Sequence, residues 1–312
     1  MSTYLKTPLV GAIPVLVTPF HDNGMVDDDS LLRQIDFCLE AGSQALVFGW
    51  GSESHLLTDA EKEHLWRLSA KHVNGRVPLV AATSHASREG MIALTHMAKD
   101  CGADCAMVNP EGRRGEHLVG LFRDLSEQVG LPLMIQDAQG NAPADGLLQA
   151  VEEASFVVSL KIECPGAPHK MGLIAAGLKE KGFLSGVRTV TVLGGSNGGL
   201  LLEELERGAV GSLPHPVIID AFGTVCDRYA AGDYSAAKDC YYDQILPLGR
   251  MTAAGGTAGG GIWLHKVIFQ RAGILKSAYC RIEARPQPDW VMAQVWAHLS
   301  QSGLAISRYL GR

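Results

Sequence analysis

No run of 18 apolar residues occurs in the 312-residue chain, so nothing in it reads as a membrane-spanning helix. The opening Met-Ser-Thr-Tyr-Leu-Lys-Thr lacks a basic segment followed by an apolar one, and the expectation is a cytoplasmic protein without an export signal. Cysteine shows no pattern: the seven residues are odd in number, widely spaced and contain no CxxC pair, as in a reduced cytosolic protein. Cys101 and Cys105 straddle a predicted helix end and strand start and read as small core residues. No HExxH or linked Asp/Glu/His pattern is found, so neither a metal nor a cofactor is called for. Clusters of Lys and Arg with interleaved aromatics are missing as well, and a net charge of −6 with a pI near 6.0 argues against nucleic acid or another polyanion as partner.

What is present is core and turns. The chain is 46% hydrophobic and 19% charged, and its 36 glycines serve turns and helix ends. Such a length suggests about two domains, although α/β barrels commonly take about 250 residues as one unit. Strand-like runs at 11–19, 44–48, 78–83, 104–109, 132–136, 156–163, 189–193 and 209–213 alternate with helical patterns, and Thr58-Asp59-Ala60-Glu61 has the form of a capping box. Gly42, Gly102, Gly130 and Gly208 each fall between a helix and the next strand, where a positive φ ends the helix. Eight uniform βα units predict an α/β (β/α)8 TIM barrel over residues 1–216, followed by a C-terminal helical region over 217–312. Within that region, Gly255 to Gly261 lacks the Gly-Lys-Ser/Thr ending of a phosphate loop and reads as a flexible interhelix connection; Tyr241-Tyr242 reads as a helix packing face.

The chain is organised around Phe156 to Glu163, six β-prone residues that end in an amine and a carboxylate. Side chains alternate along a strand, so Lys161 and Glu163 point to one side if the strand persists through both. Locally the pair reads equally well as a satisfied ion pair or as an acid–base couple. In a barrel the loops after the strands build the active site, which makes strand-end polar residues the candidates. Besides Lys161 and Glu163 these are Thr18, Ser52, Glu53, Thr83, Ser84, His85, Asn109, Glu111, Gln136, Asp137, Ser196, Asn197, Ser212 and His215. An amine surrounded by barrel side chains is partly desolvated, which favours its neutral, nucleophilic form and suits Schiff-base chemistry on a ketone. Glu163 stands where it could move a proton on the adjacent carbon. Gly51 and Ser52 read as a carboxylate-holding turn or as a plain loop cap; Thr83 and His85 read as contacts to substrate hydroxyls or as structural hydrogen bonders.

At these residues the chain resembles the family of dihydrodipicolinate synthase and N-acetylneuraminate lyase over nearly its whole length. Gly11-Ala12-Ile13-Pro14-Val15-Leu16-Val17-Thr18-Pro19-Phe20 is similar to that family's first strand, Arg76-Val77-Pro78-Leu79-Val80 to its third, and Lys161 falls on its Schiff-base lysine. The resemblance implies the barrel with C-terminal helices and a homo-oligomer, a tetramer or dimer. The catalytic loops depart from the synthase pattern. Gly49-Trp50-Gly51-Ser52-Glu53 replaces Gly-Thr-Thr-Gly-Glu, Gln136-Asp137-Ala138-Gln139 replaces the relay tyrosine's Tyr-Asn-x-Pro, and Asn109-Pro110-Glu111-Gly112 replaces Pro-Pro-Tyr-Tyr.

These departures are similar to the L-2-keto-3-deoxyarabonate dehydratases, which share Gln136-Asp137-Ala138, the Thr-x-His of Thr83 and His85, Ser52-Glu53 and the Lys-Ile-Glu-x-Pro-Gly of Lys161 to Gly166, with Cys164 here in place of threonine. The resemblance implies a Schiff-base lyase that dehydrates a 2-keto-3-deoxy sugar acid. Lys161 would be its nucleophile and Glu163 its acid–base residue, with Gly51 and Ser52 at the carboxylate and Thr83, His85, Gln136 and Asn197 toward the hydroxylated tail. A pyruvate-dependent aldolase or synthase is the sibling alternative, and a non-catalytic sugar-acid binding protein the alternative of another class.

Overall fold

The computed structural model describes residues 4–310; residues 1–3, part of the opening read for an export signal, lie outside this range. The eight strands are β1 (Gly11–Ala12), β2 (Leu46–Phe48), β3 (Leu79–Ala82), β4 (Cys105–Val108), β5 (Leu133–Asp137), β6 (Val157–Ile162), β7 (Thr191–Leu193) and β8 (Gly211–Ser212). β2 through β7 form one parallel sheet in sequence order, and β1 pairs with β8. Single parallel bridges from Val15 to Val47 and from Gly194 to Ser212 join the two pieces. The ring is thereby closed into a (β/α)8 barrel. β1 is shorter than predicted because Pro14 has no N–H to give to β2, although its carbonyl still accepts from Val47 N–H at 3.0 Å.

Seven helices alternate with the strands: α1 (Asp28–Glu40), α2 (Asp59–Val73), α3 (Arg88–Asp100), α4 (Gly115–Gln128), α5 (Ala144–Glu153), α6 (Ala167–Glu180) and α7 (Leu201–Glu206). Thr58 and Glu61 form the predicted capping box at the start of α2. The four glycines between helix and strand all adopt positive φ, from +63° at Gly130 to +97° at Gly208.

Strand parity separates two cores. Ala45, Val47, Val80, Cys105, Met107, Met134, Val158 and Leu193 fill the barrel interior. Leu46, Phe48, Leu79, Ala81, Ala106, Val108, Leu133, Ile135, Leu160 and Ile162 face the helices. β6 breaks the strict alternation once. Leu133 pairs with Val157 but Met134 with Ser159, so Val158 is an extra residue in β6. Val157 faces out; without the bulge, residues 159 and 161 would follow it outward. With the bulge, Lys161 takes the inward register of its partner Gln136.

The C-terminal region holds α8 (Ile219–Ala230), α9 (Tyr234–Cys240), α10 (Leu246–Gly255), α11 (Gly260–Arg271), α12 (Asp289–Gln301) and α13 (Ser307–Leu310). A π-helical turn, Tyr241–Ile245, separates α9 from α10 and absorbs Pro247, which cannot donate a helical hydrogen bond. Tyr241 is buried, with its hydroxyl donating to Gly199 O, whereas Tyr242 is exposed. The glycine-rich stretch is mostly helix end: Gly255 closes α10, and Gly260 and Gly261 open α11. At Gly255 itself a Cβ would lie 1.6 Å from Oε1 of the buried Gln287, so a larger residue would require that side chain to move. Among the described residues no helix is long and apolar enough to cross a membrane.

Candidate active site

The end of β6 enters the barrel mouth with Lys161 and Glu163 on one side. β6 ends at Ile162, yet Glu163 N–H still donates to Asp137 O at 3.1 Å, which extends the ladder by one residue. Lys161 is 5% exposed, and its Nζ donates to Glu163 Oε1 at 2.8 Å. From β5, Gln136 donates its Nε2 to the same oxygen at 2.5 Å. Ser196 N–H approaches Glu163 Oε2 at 3.3 Å. Burial pushes the Glu163 carboxyl up, but the Lys161 charge and the hydrogen bonds from Lys161, Gln136 and Ser196 more than offset it and hold the group below its ordinary value.

The segment after β7 is shaped for this carboxylate. Ser196 and Asn197 both lie in the left-handed region, with φ of 49° and 56°, a conformation that costs on the order of 1–3 kcal/mol per non-glycine residue. Gly195 lets Glu163 lie against the backbone, since a Cβ there would come within 2.3 Å of Glu163 Oε2. The preceding Gly194 has the same relation to the buried Glu204 of α7, 1.9 Å from Oε2. Two carboxyl groups thus flank one glycine pair. Glu204 Oε2 has no hydrogen-bond partner among the described residues, and burial, with the nearby Glu163 and Glu203, pushes its carboxyl up to about 8. This environment favours the neutral, protonated form of Glu204.

The cavity has two lobes. The inner one, about 240 Å³, is lined by Gly51, Lys161, Asn197 and His215, among others. The outer one, about 820 Å³, is lined by Ser84, His85, Asn109, Glu111 and Gln139. Trp50, Gln136 and Glu163 line both and mark the junction. Of the residues singled out in sequence, Gly51, Gln136, Lys161, Glu163, Ser196, Asn197 and His215 meet at the inner lobe, and Ser84, His85, Asn109 and Glu111 at the outer one. Asn197 Oδ1 accepts from His215 N–H at 3.0 Å, and His85 Nδ1 accepts from Ser87 N–H at 3.0 Å.

Two predicted contacts do not reach the cavity. Ser52 is fully buried; its hydroxyl donates to Leu16 O and accepts from Gly49 N–H, so it caps the loop instead. Thr83 continues the parity of β3 outward and meets Thr95 of α3 at 2.9 Å. Asp137 likewise faces out and pairs with Lys170 of α6.

The strand-end position marked Ser196 and His215 as candidates without a specific role, and nothing marked Gly195, Glu204 or Lys266. The adjacent glycines at 194 and 195 were a usable signal for close approach. Lys266 carried none, because its partner Glu53 lies 213 positions away. Both side chains of that ion pair are 0% exposed; Glu53 also accepts from Ile282 N–H at 2.7 Å, and Lys266 donates to Tyr279 O at 2.8 Å. The C-terminal region thereby anchors the loop that carries Gly51. Among the described residues no cluster of His, Cys, Asp and Glu could hold a metal ion.

Comparison with known proteins agrees with this geometry. Residues 8–152 match the model of the dihydrodipicolinate synthetase family. A 4-hydroxy-tetrahydrodipicolinate synthase from Psychrobacter sp. (strain PRwf-1) is 33% identical over 255 residues, 79% of this chain and 81% of the relative. An L-2-keto-3-deoxyarabonate dehydratase from Azospirillum brasilense is 29% identical over 289 residues, 89% of each. The crystal structure of a dihydrodipicolinate synthase from Rhodopseudomonas palustris superposes with a TM-score of 0.81 at 26% identity, covering 95% of this chain and 99% of that one. With the closed barrel and the strand-end lysine, these similarities place the chain in the dihydrodipicolinate synthetase family of lyases.

Proposed function

We propose that this lyase dehydrates a 2-keto-3-deoxy sugar acid through a Schiff base on Lys161. The observation that carries the reading is the convergence of Lys161 and Gln136 on one oxygen of Glu163, at a β5 end that holds glutamine and no tyrosine. The amine of Lys161 adds to the C2 ketone and water leaves, giving an iminium that acidifies C3. Glu163 takes a C3 proton and the electron pair moves to nitrogen as the enamine. The positive charge that favoured the carboxylate is then gone, so Glu163 keeps the proton in place for the next step. It returns its proton to the departing C4 hydroxyl, which leaves as water. In a five-carbon acid the conjugated iminium then loses a C5 proton and gains one at C3, so that the C5 alcohol becomes an enol and then an aldehyde. Hydrolysis frees the keto acid semialdehyde and Lys161.

The two lobes suit such a substrate. The keto-acid end fits the inner lobe with Lys161, and the hydroxylated tail extends past Glu163 toward His85 and Asn109 in the outer one. Aldol cleavage is the second reading, favoured by the name of the Psychrobacter relative. It needs a base at the C4 hydroxyl, the role that the family resemblance gives to a tyrosine where this chain has Gln136. A cytoplasmic homo-oligomer, tetramer or dimer, is part of the proposal and is read by light scattering.

Borohydride reduction with pyruvate, followed by peptide mass analysis, is expected to label Lys161. A panel of 2-keto-3-deoxy acids is expected to yield a semialdehyde. Release of pyruvate plus an aldehyde would refute dehydration, and no adduct would refute both enzyme readings in favour of a binding protein.

A further inference from the structure

The inner lobe holds a ring that the chemistry above does not use. His215 follows β8, and its imidazole fills the space that a side chain at position 51 would need. A Cβ on Gly51 would lie 2.8 Å from His215 Cε1. The ring also packs on His265 of α11, with centroids 4.4 Å apart and planes inclined by 34°. His265 is 1% exposed, and neither of its ring nitrogens, nor Nδ1 of His215, has a hydrogen-bond partner among the described residues. Buried polar atoms left unpaired call for an explanation, and a missing ligand is one.

The surroundings of the ring select the ligand. Lys161 faces the same lobe, and the first turn of α11 reaches it through Gly261; a helix N-terminus carries partial positive charge. Glu163 is the opposing carboxylate, already engaged by Lys161, Gln136 and Ser196. Of the two residues read in sequence as holding an anion, the Ser52 hydroxyl is turned away to Leu16, and Gly51, which does line the lobe, brings backbone only. We propose that His215 receives the carboxylate of the 2-keto acid, holding C1 while Lys161 takes C2 and Glu163 addresses C3. This rests on the Schiff-base reading of Lys161. Burial, with the Lys161 charge beside it, pulls the His215 imidazole down to about 4, so the ring is neutral and offers one N–H as donor. The lobe thereby selects 2-keto acids over ketones that lack the carboxylate.

Borohydride trapping with pyruvate and with hydroxyacetone, a ketone without a carboxylate, tests this in the full-length wild-type protein and in His215→Ala and His215→Asn. Loss of a hydrogen bond to a charged group predicts a half-saturating pyruvate concentration raised about tenfold or more in His215→Ala. His215→Asn, which keeps a donor, should lie between, and hydroxyacetone trapping should be unchanged in both. Unchanged pyruvate dependence in His215→Ala, or equal loss for both ketones, would overturn the assignment while leaving the Lys161 adduct intact. Should the wild type form no adduct, the Schiff-base reading fails, and calorimetric binding of lactate, which cannot form an imine, decides the role of His215 alone. Weaker lactate binding in His215→Ala supports it, and equal binding overturns it.

Discussion

Gln136 and Lys161 are register partners on β5 and β6, and their side chains converge on a single oxygen, Glu163 Oε1, at 2.5 and 2.8 Å. Gln136 therefore helps to hold the carboxylate ionised. Replacing it with leucine removes one donor and lets the Glu163 carboxyl rise. If Glu163 is the base, the acidic limb of the kcat/KM profile moves to higher pH in Gln136→Leu. A limb that stays in place would separate Glu163 from the titration that controls activity.

Glu163→Gln keeps the shape of the site and removes its base. The variant is expected to form the borohydride-trapped adduct on Lys161 while kcat falls about 10²- to 10⁴-fold, the usual contribution of a positioned general base. Trapping and steady-state assays on the same preparation check both halves. Wild-type turnover would remove Glu163 from the mechanism.

A methyl group at Gly195 tests position without changing any charge. The Cβ of Gly195→Ala would lie 2.3 Å from Glu163 Oε2 and 2.8 Å from Glu163 Cβ, so the carboxylate has to move. Displacement on this scale costs on the order of 10²-fold in rate. Turnover should fall by that amount with the Lys161 adduct retained, as measured by rapid-quench trapping.

The pair of Glu53 and Lys266 is buried on both sides. Removing one partner strands a charge, so Lys266→Met is expected to lose about 3–5 kcal/mol. The double variant Lys266→Met, Glu53→Gln should recover much of this, since no unpaired charge is left. Urea denaturation of the three proteins gives the comparison, and a double variant no better than the single one would contradict it.

Glu204 gives a pH dependence opposite to that of a paired carboxylate. Its folded-state value is raised to about 8 by burial and by Glu163 and Glu203, against about 4.3 for an unfolded glutamate. Between these values the folded chain binds a proton that the unfolded chain has released. Its contribution to stability is fully present below the unfolded value and is lost as pH rises toward 8. Glu204→Gln removes that slope, so the variant should gain on the wild type by up to a few kcal/mol between pH 5 and 8. Melting temperatures across that range read it directly, and parallel curves would place the proton elsewhere.

Much of the barrel was legible in the sequence because it depends on local physics. Strand runs, the Thr58 to Glu61 capping box and the positive-φ glycines at 42, 102, 130 and 208 each act within a few residues. The Lys161 and Glu163 pairing follows from the same local rule, the two-residue period of a strand. The side of the sheet that they face does not. Val158 bulges out of register against β5, and this turn of one residue, imposed by pairing with a strand more than 20 positions earlier, carries Lys161 into the barrel. The fate of Thr83 and Ser52 shows the same limit, for each hydroxyl found a partner, Thr95 or Leu16, that the strand-end position did not reveal. His215 beside Gly51, Glu204 behind Gly194 and Lys266 under Glu53 are contacts between residues far apart in the chain. Sequence determined which strand carries the amine and its carboxylate; closure of the ring decided what surrounds them, because burial and charge are set by neighbours in space.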